Sequence, residues 1–324
     1  MRLFSYRLGG ATRPGVMAGD RGVDVAVLER AAASTDDEFA EALQQPPTGS
    51  MSMIDLLASG RDRMAALAAA VARASEAPID SAPLTMDSIE FAVPTPGSQK
   101  ILCVGRNYLE HIKESDREVP GQPVLFCRYE DSLVPHGEAI ERPAVSDQLD
   151  WEGELAAVIG VPCRHVDEQH ALEVVAGYAV FNDGSVRDYQ QHTVQWTPGK
   201  NFFRSGSYGP FLVTYDAVAD PHDLDLETRV NDTVVQKSST ATMIFPLGRI
   251  ISYISEWTQL NPGDVIATGT PAGIGNARTP KWFLKPGDVL SISITGLGTL
   301  RNPVVAAESL SGARPGRVSE RGAQ

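Results

Sequence analysis

The chain has 324 residues, 42% of them hydrophobic, and carries 28 Lys and Arg against 41 Asp and Glu, a formal net charge of −13. These values fit a globular protein with a substantial core, and the acidic balance argues against nucleic acid or an anionic membrane as partner. Three cysteines are too few for a disulfide framework, and no apolar run reaches membrane-spanning length, so we expect a cytoplasmic protein.

The N-terminal part of the chain, residues 1–78, predicts a small α/β domain. Short apolar segments with glycine turns indicate strands up to residue 27, and a helical region follows. Ser52 is a candidate helix cap, and the alanine-rich run at residues 64–71 favours a helix. No motif here carries chemistry, so we expect a scaffold or the edge of a dimer. Residues 79–98, rich in Pro, Ser and Asp around one short strand, predict a linker.

Residues 99–306 predict a β-rich domain that carries the chemistry. Its apolar runs are short and broken by glycine and proline, as in curled sheets. Two similar Pro-Gly-Asp turns each precede a strand, at residues 261–264 and 285–288. Helices are expected near residues 168–175 and 246–259. The fold class is therefore α+β with mostly strands, and the Ser-, Gly-, Arg- and Pro-rich residues 307–324 predict a disordered tail.

The stretch at residues 150–160 is the most informative part of the sequence. Its apolar second half predicts a buried strand, with Glu152 and Glu154 at the start. Side chains at i and i+2 of a strand point the same way, about 7 Å apart. The next buried segment ends at Asp183, and three carboxylates suit a hard divalent cation. We expect the small Gly153 to leave room for a ligand. The alternative is that the glutamates are edge charges paired with arginines.

A candidate general-base pair follows another predicted strand. His111 and Glu114 are spaced i, i+3, which puts them on one face of a helical turn within hydrogen-bonding reach. A carboxylate that orients an imidazole makes a general base near neutral pH. The alternative is an exposed helix face of mixed charge. Residues 110–119 contain almost no apolar anchor, so we expect a mobile lid.

Several cations are placed to form the positive pocket that a small anion needs in an acidic protein. A polar turn at residues 182–190 follows the second buried strand, and a lysine stands between a glycine and an aromatic segment at residues 199–202. The candidates are Arg106, Arg128, Arg187 and Lys200. Surface salt bridges are the alternative for each arginine taken singly.

A glycine-rich loop at residues 266–275 ends a predicted strand and contains two threonines. Its backbone N–H groups could cradle a carboxylate. The loop lacks the lysine of a phosphate-binding P-loop and the strand-to-helix context of a dinucleotide site, so it predicts neither.

Together, these segments are similar to the fumarylacetoacetate hydrolase family, in order, from residue 101 to about residue 305. The resemblance is carried by residues 103–108 with His111 and Glu114, 151–154, 177–183 with Arg187 and Asp188, 199–202, 209–210, 262–271 and 296–302. It implies a mixed β-roll or sandwich that binds Mg²⁺, with Mn²⁺ or Ca²⁺ as alternatives. It also implies a homodimer.

The resemblance assigns roles to individual residues. The metal ligands would be Glu152, Glu154 and Asp183, and the catalytic residues would be His111, Glu114 and Lys200. The substrate-binding residues would be Arg106, Tyr108, Arg128, Arg187, Gln190 and Thr270. Two departures concern the substrate: many relatives carry a lysine at the position of Arg128, and an aspartate near position 203, where this chain has Phe203 and Arg204.

Family substrates share a 2-oxo acid, which implies the first two of three functions considered for this chain. The first is hydrolysis of a C–C bond in an acylpyruvate or related β-diketo acid from aromatic or sugar-acid breakdown. The second is decarboxylation, isomerisation or hydration of a related 2-oxo acid at the same site. The third is a metal-binding scaffold without activity. The sequence leaves the physiological substrate open.

Overall fold

The structure is a computed structural model that describes residues 1–33, 51–76 and 84–308. Residues 77–83, which include part of the predicted linker, and the predicted tail from residue 309 onward lie outside the described residues. Large sheets and few helices confirm the predicted α+β class.

Short helices connect or cover the strands. In chain order they are α1 (Val25–Ala33), α2 (Met53–Ala58), α3 (Arg61–Glu76), α4 (Leu109–Glu114), α5 (Arg187–Gln190), α6 (Thr197–Lys200) and α7 (Leu247–Trp257). Ser52 caps α2 as predicted, because its hydroxyl accepts a hydrogen bond of 3.1 Å from the Asp55 N–H. None of the described helices is long and apolar enough to cross a membrane.

Of the two helices predicted in the second half, one is confirmed and one is wrong. The helix near residues 246–259 is α7. The segment near residues 168–175 instead forms a short 3-10 turn, Ala171–Val174. The β-branched Val175 starts a strand directly after this turn, which leaves too few residues for α-helical turns.

The strands form a large central sheet, a five-stranded second sheet and a small two-stranded ribbon within the described residues. The strands are β1 (Arg2–Leu8), β2 (Ala11–Ala18), β3 (Arg21–Asp24), β4 (Phe91–Ala92), β5 (Ile101–Gly105), β6 (Val124–Arg128), β7 (Leu133–Val134), β8 (Ile140–Arg142), β9 (Leu149–Asp150), β10 (Gly153–Ile159), β11 (Val175–Asn182), β12 (Ser185–Val186), β13 (Gly206–Thr214), β14 (Asp225–Val230), β15 (Thr233–Ser239), β16 (Val265–Ala267), β17 (Val289–Ile294) and β18 (Gly298–Ala306).

The central sheet runs in the order β3-β2-β1-β13-β11-β10-β16-β5-β6, and the second sheet in the order β15-β14-β17-β18-β8. The N-terminal strands therefore continue the central sheet, since β1 pairs antiparallel with β13 and places Leu3 opposite Leu212. Both predicted Pro-Gly-Asp turns are present, and Gly263 and Gly287 adopt φ values of 86° and 95° that favour glycine.

Alternation along β10 separates two cores. Leu155 and Ala157 belong to the cluster between the two sheets, which includes Leu226 and Ile292. Ala156 and Val158 belong to the opposite cluster with residues of α1, α2 and α3. The central sheet is thus covered by the second sheet on one face and by the N-terminal helices on the other.

Candidate active site

Three buried carboxylates meet where β10 begins and β11 ends. Glu152, Glu154 and Asp183 each offer an oxygen, and these oxygens all lie within 4.8 Å of one another. The side chains are 5%, 1% and 1% exposed, so water does not neutralise their mutual repulsion. The pairing of β10 with β11 places Gly153 opposite Asn182, which brings the strand ends together. Charged oxygen donors at this spacing fit a hard divalent cation such as Mg²⁺, Mn²⁺ or Ca²⁺.

Gly153 does not leave room for a ligand, contrary to the expectation from the sequence. It faces away from the carboxylates, toward the second sheet, because neighbouring residues of a strand point to opposite faces. A Cβ atom at this position would lie 2.3 Å from Thr228 Oγ1 and 3.2 Å from Ile292 Cγ2. The glycine instead allows the second sheet to approach the strand that carries the carboxylates.

Three buried cations surround the carboxylates. Lys200 Nζ donates to Glu152 Oε2 at 2.7 Å and to Asp183 Oδ2 at 2.5 Å. Arg187 Nη1 lies 2.7 Å from Glu152 Oε1, and Arg128 Nη1 donates to Asp183 Oδ1 at 2.7 Å. Glu154 is the carboxylate without a cation partner among the described residues; it accepts a hydrogen bond of 2.8 Å from the Gly269 N–H.

These contacts set the pKa values of the carboxylates in opposite directions. Burial alone would raise the pKa of Glu152, but the charges of Lys200, Arg187 and His111 outweigh burial and lower it. Burial and the charges of Asp183 and Glu152 raise the pKa of Glu154 well above its usual value. Burial also raises the pKa of Asp183, against the charges of Lys200 and Arg128. Glu154 is therefore the group most in need of a positive partner.

Asp150 fixes the position of Arg187, a role that the sequence analysis missed. Its carboxylate accepts hydrogen bonds from Arg187 Nε at 2.8 Å and from the N–H groups of Trp151, Gly275 and Asn276. Arg187 Nη1 also donates to Gln190 Oε1 at 3.0 Å, while Nη2 is buried without a partner among the described residues. The position of Asp150, two residues before Glu152, gave no hint of this role, because most of its partners come from distant segments.

The glycine-rich loop does cradle carboxylates, but they are the protein's own. The N–H groups of Gly269, Gly273 and Gly275 donate to Glu154, Glu114 and Asp150, at 2.8, 2.9 and 2.7 Å. Thr270 Oγ1 donates to the Gly153 carbonyl at 3.0 Å. One loop thus binds Glu154 of the carboxylate cluster, Asp150, which supports Arg187, and Glu114 of the predicted lid.

The predicted dyad is formed on α4, the helix that carries the lid. His111 Nδ1 and Glu114 Oε1 lie 2.8 Å apart, and the other Glu114 oxygen accepts from Gly273. Asn107 anchors the base of this helix, since its amide donates to the Thr268 carbonyl at 2.8 Å and to Phe245. The imidazole of His111 is therefore held at one defined position through Glu114 and the glycine-rich loop.

A cavity of about 950 Å³ unites most of the predicted site residues. Its walls include the predicted residues Arg106, His111, Glu114, Glu152, Glu154, Asp183, Arg187, Gln190, Lys200 and Thr270. Tyr108 and Arg128 are not among its lining residues, and their contact with substrate stays a prediction. Arg128 is 3% exposed and bonds to Asp183, Gly184, Ser132 and Ser205, so it supports a carboxylate from behind. Tyr108 is 2% exposed at the start of α4.

Comparison with known proteins places this site in a family. Residues 100–305 match the model of the fumarylacetoacetate hydrolase C-terminal domain. An oxaloacetate tautomerase from Xenopus laevis is 42% identical over 224 residues, which cover 68% of this chain and 70% of the relative. A 2,4-didehydro-3-deoxy-L-rhamnonate hydrolase from Sphingomonas sp. (strain SKA58) is 42% identical over 237 residues, which cover 72% of this chain and 83% of the relative.

The solved structures agree. A maleylpyruvate hydrolase from Sphingobium sp. SYK-6, in complex with manganese(II) and pyruvate, is 28% identical with a TM-score of 0.73 and covers 95% of this chain and 100% of its own. The chain belongs to the fumarylacetoacetate hydrolase family. Similar proteins include hydrolases, isomerases and tautomerases, so membership defines an enzyme class without fixing the reaction.

Proposed function

We propose that the protein is a divalent-metal-dependent hydrolase that cleaves a C–C bond in an acylpyruvate or a related β-diketo 2-oxo acid. The observation that carries the proposal is the His111–Glu114 pair held over the three carboxylates in one cavity. A positioned base is what hydrolysis needs in addition to an electrophilic site, because the attacking water must lose a proton.

The carboxylate cluster supports the metal part of the proposal. With all groups ionised, the four carboxylates Asp150, Glu152, Glu154 and Asp183 exceed the three cations of the cluster by one negative charge. A divalent cation makes the cluster positive by one, and a singly charged substrate carboxylate restores neutrality. Mg²⁺ is our first choice of ion, and when bound it would act as a Lewis acid toward a 2-oxo group.

The side chains then have separate tasks. His111 accepts the proton of the water that attacks the acyl carbonyl, and Glu114 orients the imidazole and stabilises its positive charge. Lys200 delivers a proton to the enolate that leaves when the C–C bond breaks. The free Nη2 of Arg187 and the amide of Gln190 bind the carboxylate of the 2-oxo acid.

A second candidate is tautomerisation, isomerisation or decarboxylation of a 2-oxo acid. Lys200 favours it, because a buried ammonium between two carboxylates can move a proton without any attacking water. The oxaloacetate tautomerase relative points to the same chemistry.

Turnover of two substrates separates these functions. We expect Mg²⁺-dependent release of pyruvate from acetylpyruvate, and a slower change or none with oxaloacetate. Mg²⁺ binding and activity should be lost in each of three variants, Glu152→Ala, Glu154→Ala and Asp183→Ala. The reason is that removal of one anionic ligand from three weakens a site for a hard cation severely. Glu227→Ala, which removes a carboxylate of β14 outside the cavity, is the matched control. Full activity of a ligand variant in chelator would overturn the metal assignment, and turnover of oxaloacetate alone would favour the second candidate.

A further inference from the structure

Both backbone polar groups of Gly273 are bound, and they connect the dyad to side chains outside the cavity. The N–H group donates to Glu114 Oε2 at 2.9 Å, on the carboxylate that also contacts His111. The carbonyl oxygen accepts from Trp151 Nε1 and from Arg278 Nη2, each at 3.2 Å. The position of Glu114, and with it that of the imidazole, therefore depends on the two side chains that hold the Gly273 carbonyl.

Arg278 binds the backbone rather than an acidic side chain. Within the described residues it forms no ion pair. Its Nη2 instead donates to two carbonyl oxygens, that of Gly273 and that of Val235 in β15, the latter at 2.7 Å. The two segments are in close contact, since a Cβ atom on Gly273 would lie 2.2 Å from the Val235 oxygen. One charged donor thus joins the glycine-rich loop to the second sheet.

Two indole rings fix the guanidinium of Arg278. It lies 5.8 Å from the centre of the Trp151 ring and 5.6 Å from the centre of the Trp282 ring, both within the range of a cation–π contact. The two rings pack edge to face at 5.5 Å. Trp282 is itself bound to the loop, because its N–H donates to the Gly275 carbonyl at 3.1 Å. The planar guanidinium is therefore held in one orientation, which the ammonium of a lysine would not reproduce.

Arg278 is separated from the space that a ligand would occupy. It is not among the residues that line the cavity, whereas His111 and Glu114 are. Any effect of Arg278 on the reaction must therefore pass through the loop. A displacement of about 1 Å that originates far from the reacting atoms can lower a rate about 100-fold, so such an effect is large enough to measure.

We propose that Arg278 is a positioning residue for the dyad and acts through Gly273. This inference rests on the proposed function and adds a residue to its mechanism. Arg278 contacts the Gly273 carbonyl directly, whereas the Gly275 N–H that supports Asp150 lies two residues further along the loop. Proton transfer to the base should therefore depend on Arg278 more strongly than binding of the 2-oxo acid does.

The test is a double-mutant cycle with acetylpyruvate as substrate. Arg278→Met should lower kcat about 10- to 100-fold and leave KM and Mg²⁺ affinity within about 2-fold of the wild-type values, because only the base is displaced. In a Glu114→Ala background, where Gly273 no longer holds the dyad, the same substitution should cost less than about 2-fold. Arg278→Lys should recover part of the rate, because it keeps a charged donor.

The matched control is Arg229→Met. Arg229 also donates to a backbone carbonyl, that of Asp232 at 3.2 Å, and it lies on β14 outside the cavity. This variant should leave kcat unchanged in both backgrounds.

Hydrogen exchange provides a second measurement that needs no substrate. The amides of α4 should exchange about 10-fold faster in Arg278→Met than in the wild type, because the contact that fixes Glu114 is weakened. In the Glu114→Ala background the substitution should add nothing further.

Three results would overturn the inference: an equal loss of kcat in both backgrounds, a rise of KM in place of a fall in kcat, or no difference between Arg278→Met and the control. An equal loss would give Arg278 a purely structural role, and a rise of KM would assign it to the support of Arg187. If Arg278→Met does not fold, Arg278→Lys enters the same cycle with a smaller expected loss. If the wild-type enzyme does not cleave acetylpyruvate, the proposed function fails, while the exchange of α4 still decides whether Arg278 positions the dyad.

Discussion

Replacement of Lys200 by methionine tests whether the carboxylate cluster binds a metal cation in addition to the Lys200 ammonium. The ammonium makes two charge-assisted hydrogen bonds, to Glu152 and Asp183, and the side chain is 2% exposed. Methionine fills a similar volume and removes the charge. In chelator, the variant therefore leaves two buried carboxylates with less compensation.

The expected magnitude follows from these contacts. Removal of one partner from a buried ion pair costs about 3 to 5 kcal/mol, and the second bond places Lys200→Met at the upper part of that range. A metal present at 100 times its Kd stabilises a folded protein by about 2.7 kcal/mol. In the variant the metal meets carboxylates that no ammonium neutralises, so Mg²⁺ should stabilise Lys200→Met more than it stabilises the wild type.

Urea unfolding in chelator and in excess Mg²⁺ measures both effects. Lys100→Met is the matched control, because Lys100 Nζ also bonds a buried aspartate, Asp264 at 3.0 Å, far from the cluster in the fold and outside the cavity. Lys100→Met should lose less stability than Lys200→Met, because the Lys100 side chain is 26% exposed. The loss should be equal in both buffers. Two results would contradict this account of the cluster: a Lys200→Met variant as stable as the wild type in chelator, or a stabilisation by Mg²⁺ no greater in the variant than in the wild type.

Three further predictions concern the lid, the sheet contact and the assembly. His111→Ala should lower the rate of acylpyruvate cleavage by about 10²- to 10⁴-fold with Mg²⁺ affinity nearly unchanged, and Glu114→Gln should lower the rate less. Single-turnover rates and metal titration measure the two effects. A wild-type rate in His111→Ala would exclude His111 as the base. Gly153→Ala should lower stability by about 1 to 3 kcal/mol in urea, and Thr228→Ala should restore most of it, whereas a harmless single variant contradicts the close contact. We also expect a homodimer by light scattering, and a monomer at all concentrations would count against it.

The parts of the site that could be predicted from the sequence are local. Alternation along one strand puts Glu152 and Glu154 on the same face, and helical spacing pairs His111 with Glu114. Both arrangements depend only on residues a few positions apart. The cap at Ser52 and the abundance of short strands follow from similarly short patterns, which is why the fold class was predicted correctly.

The parts that could not be predicted depend on distant segments. The role of Asp150 requires Arg187 and the N–H groups of residues 275 and 276, which come together only in the folded chain. The contact at Gly153 requires the second sheet. Likewise, the pairing of the first strand with β13 joins residues more than two hundred positions apart, and no local pattern marks it.

The glycine-rich loop has a consequence for how enzymes of this architecture can change. Its three N–H groups hold Glu114, Glu154 and Asp150, so a shift of this loop moves the partner of His111, one carboxylate of the cluster and the support of Arg187 together. A substitution that moves this loop would therefore disturb all three carboxylates at once. Residues 191–195, at the cavity rim, are exposed and hold none of these groups, with Val194 at 90% exposure. New substrates are therefore most readily acquired by changes at that rim, while the chemistry beneath it stays the same.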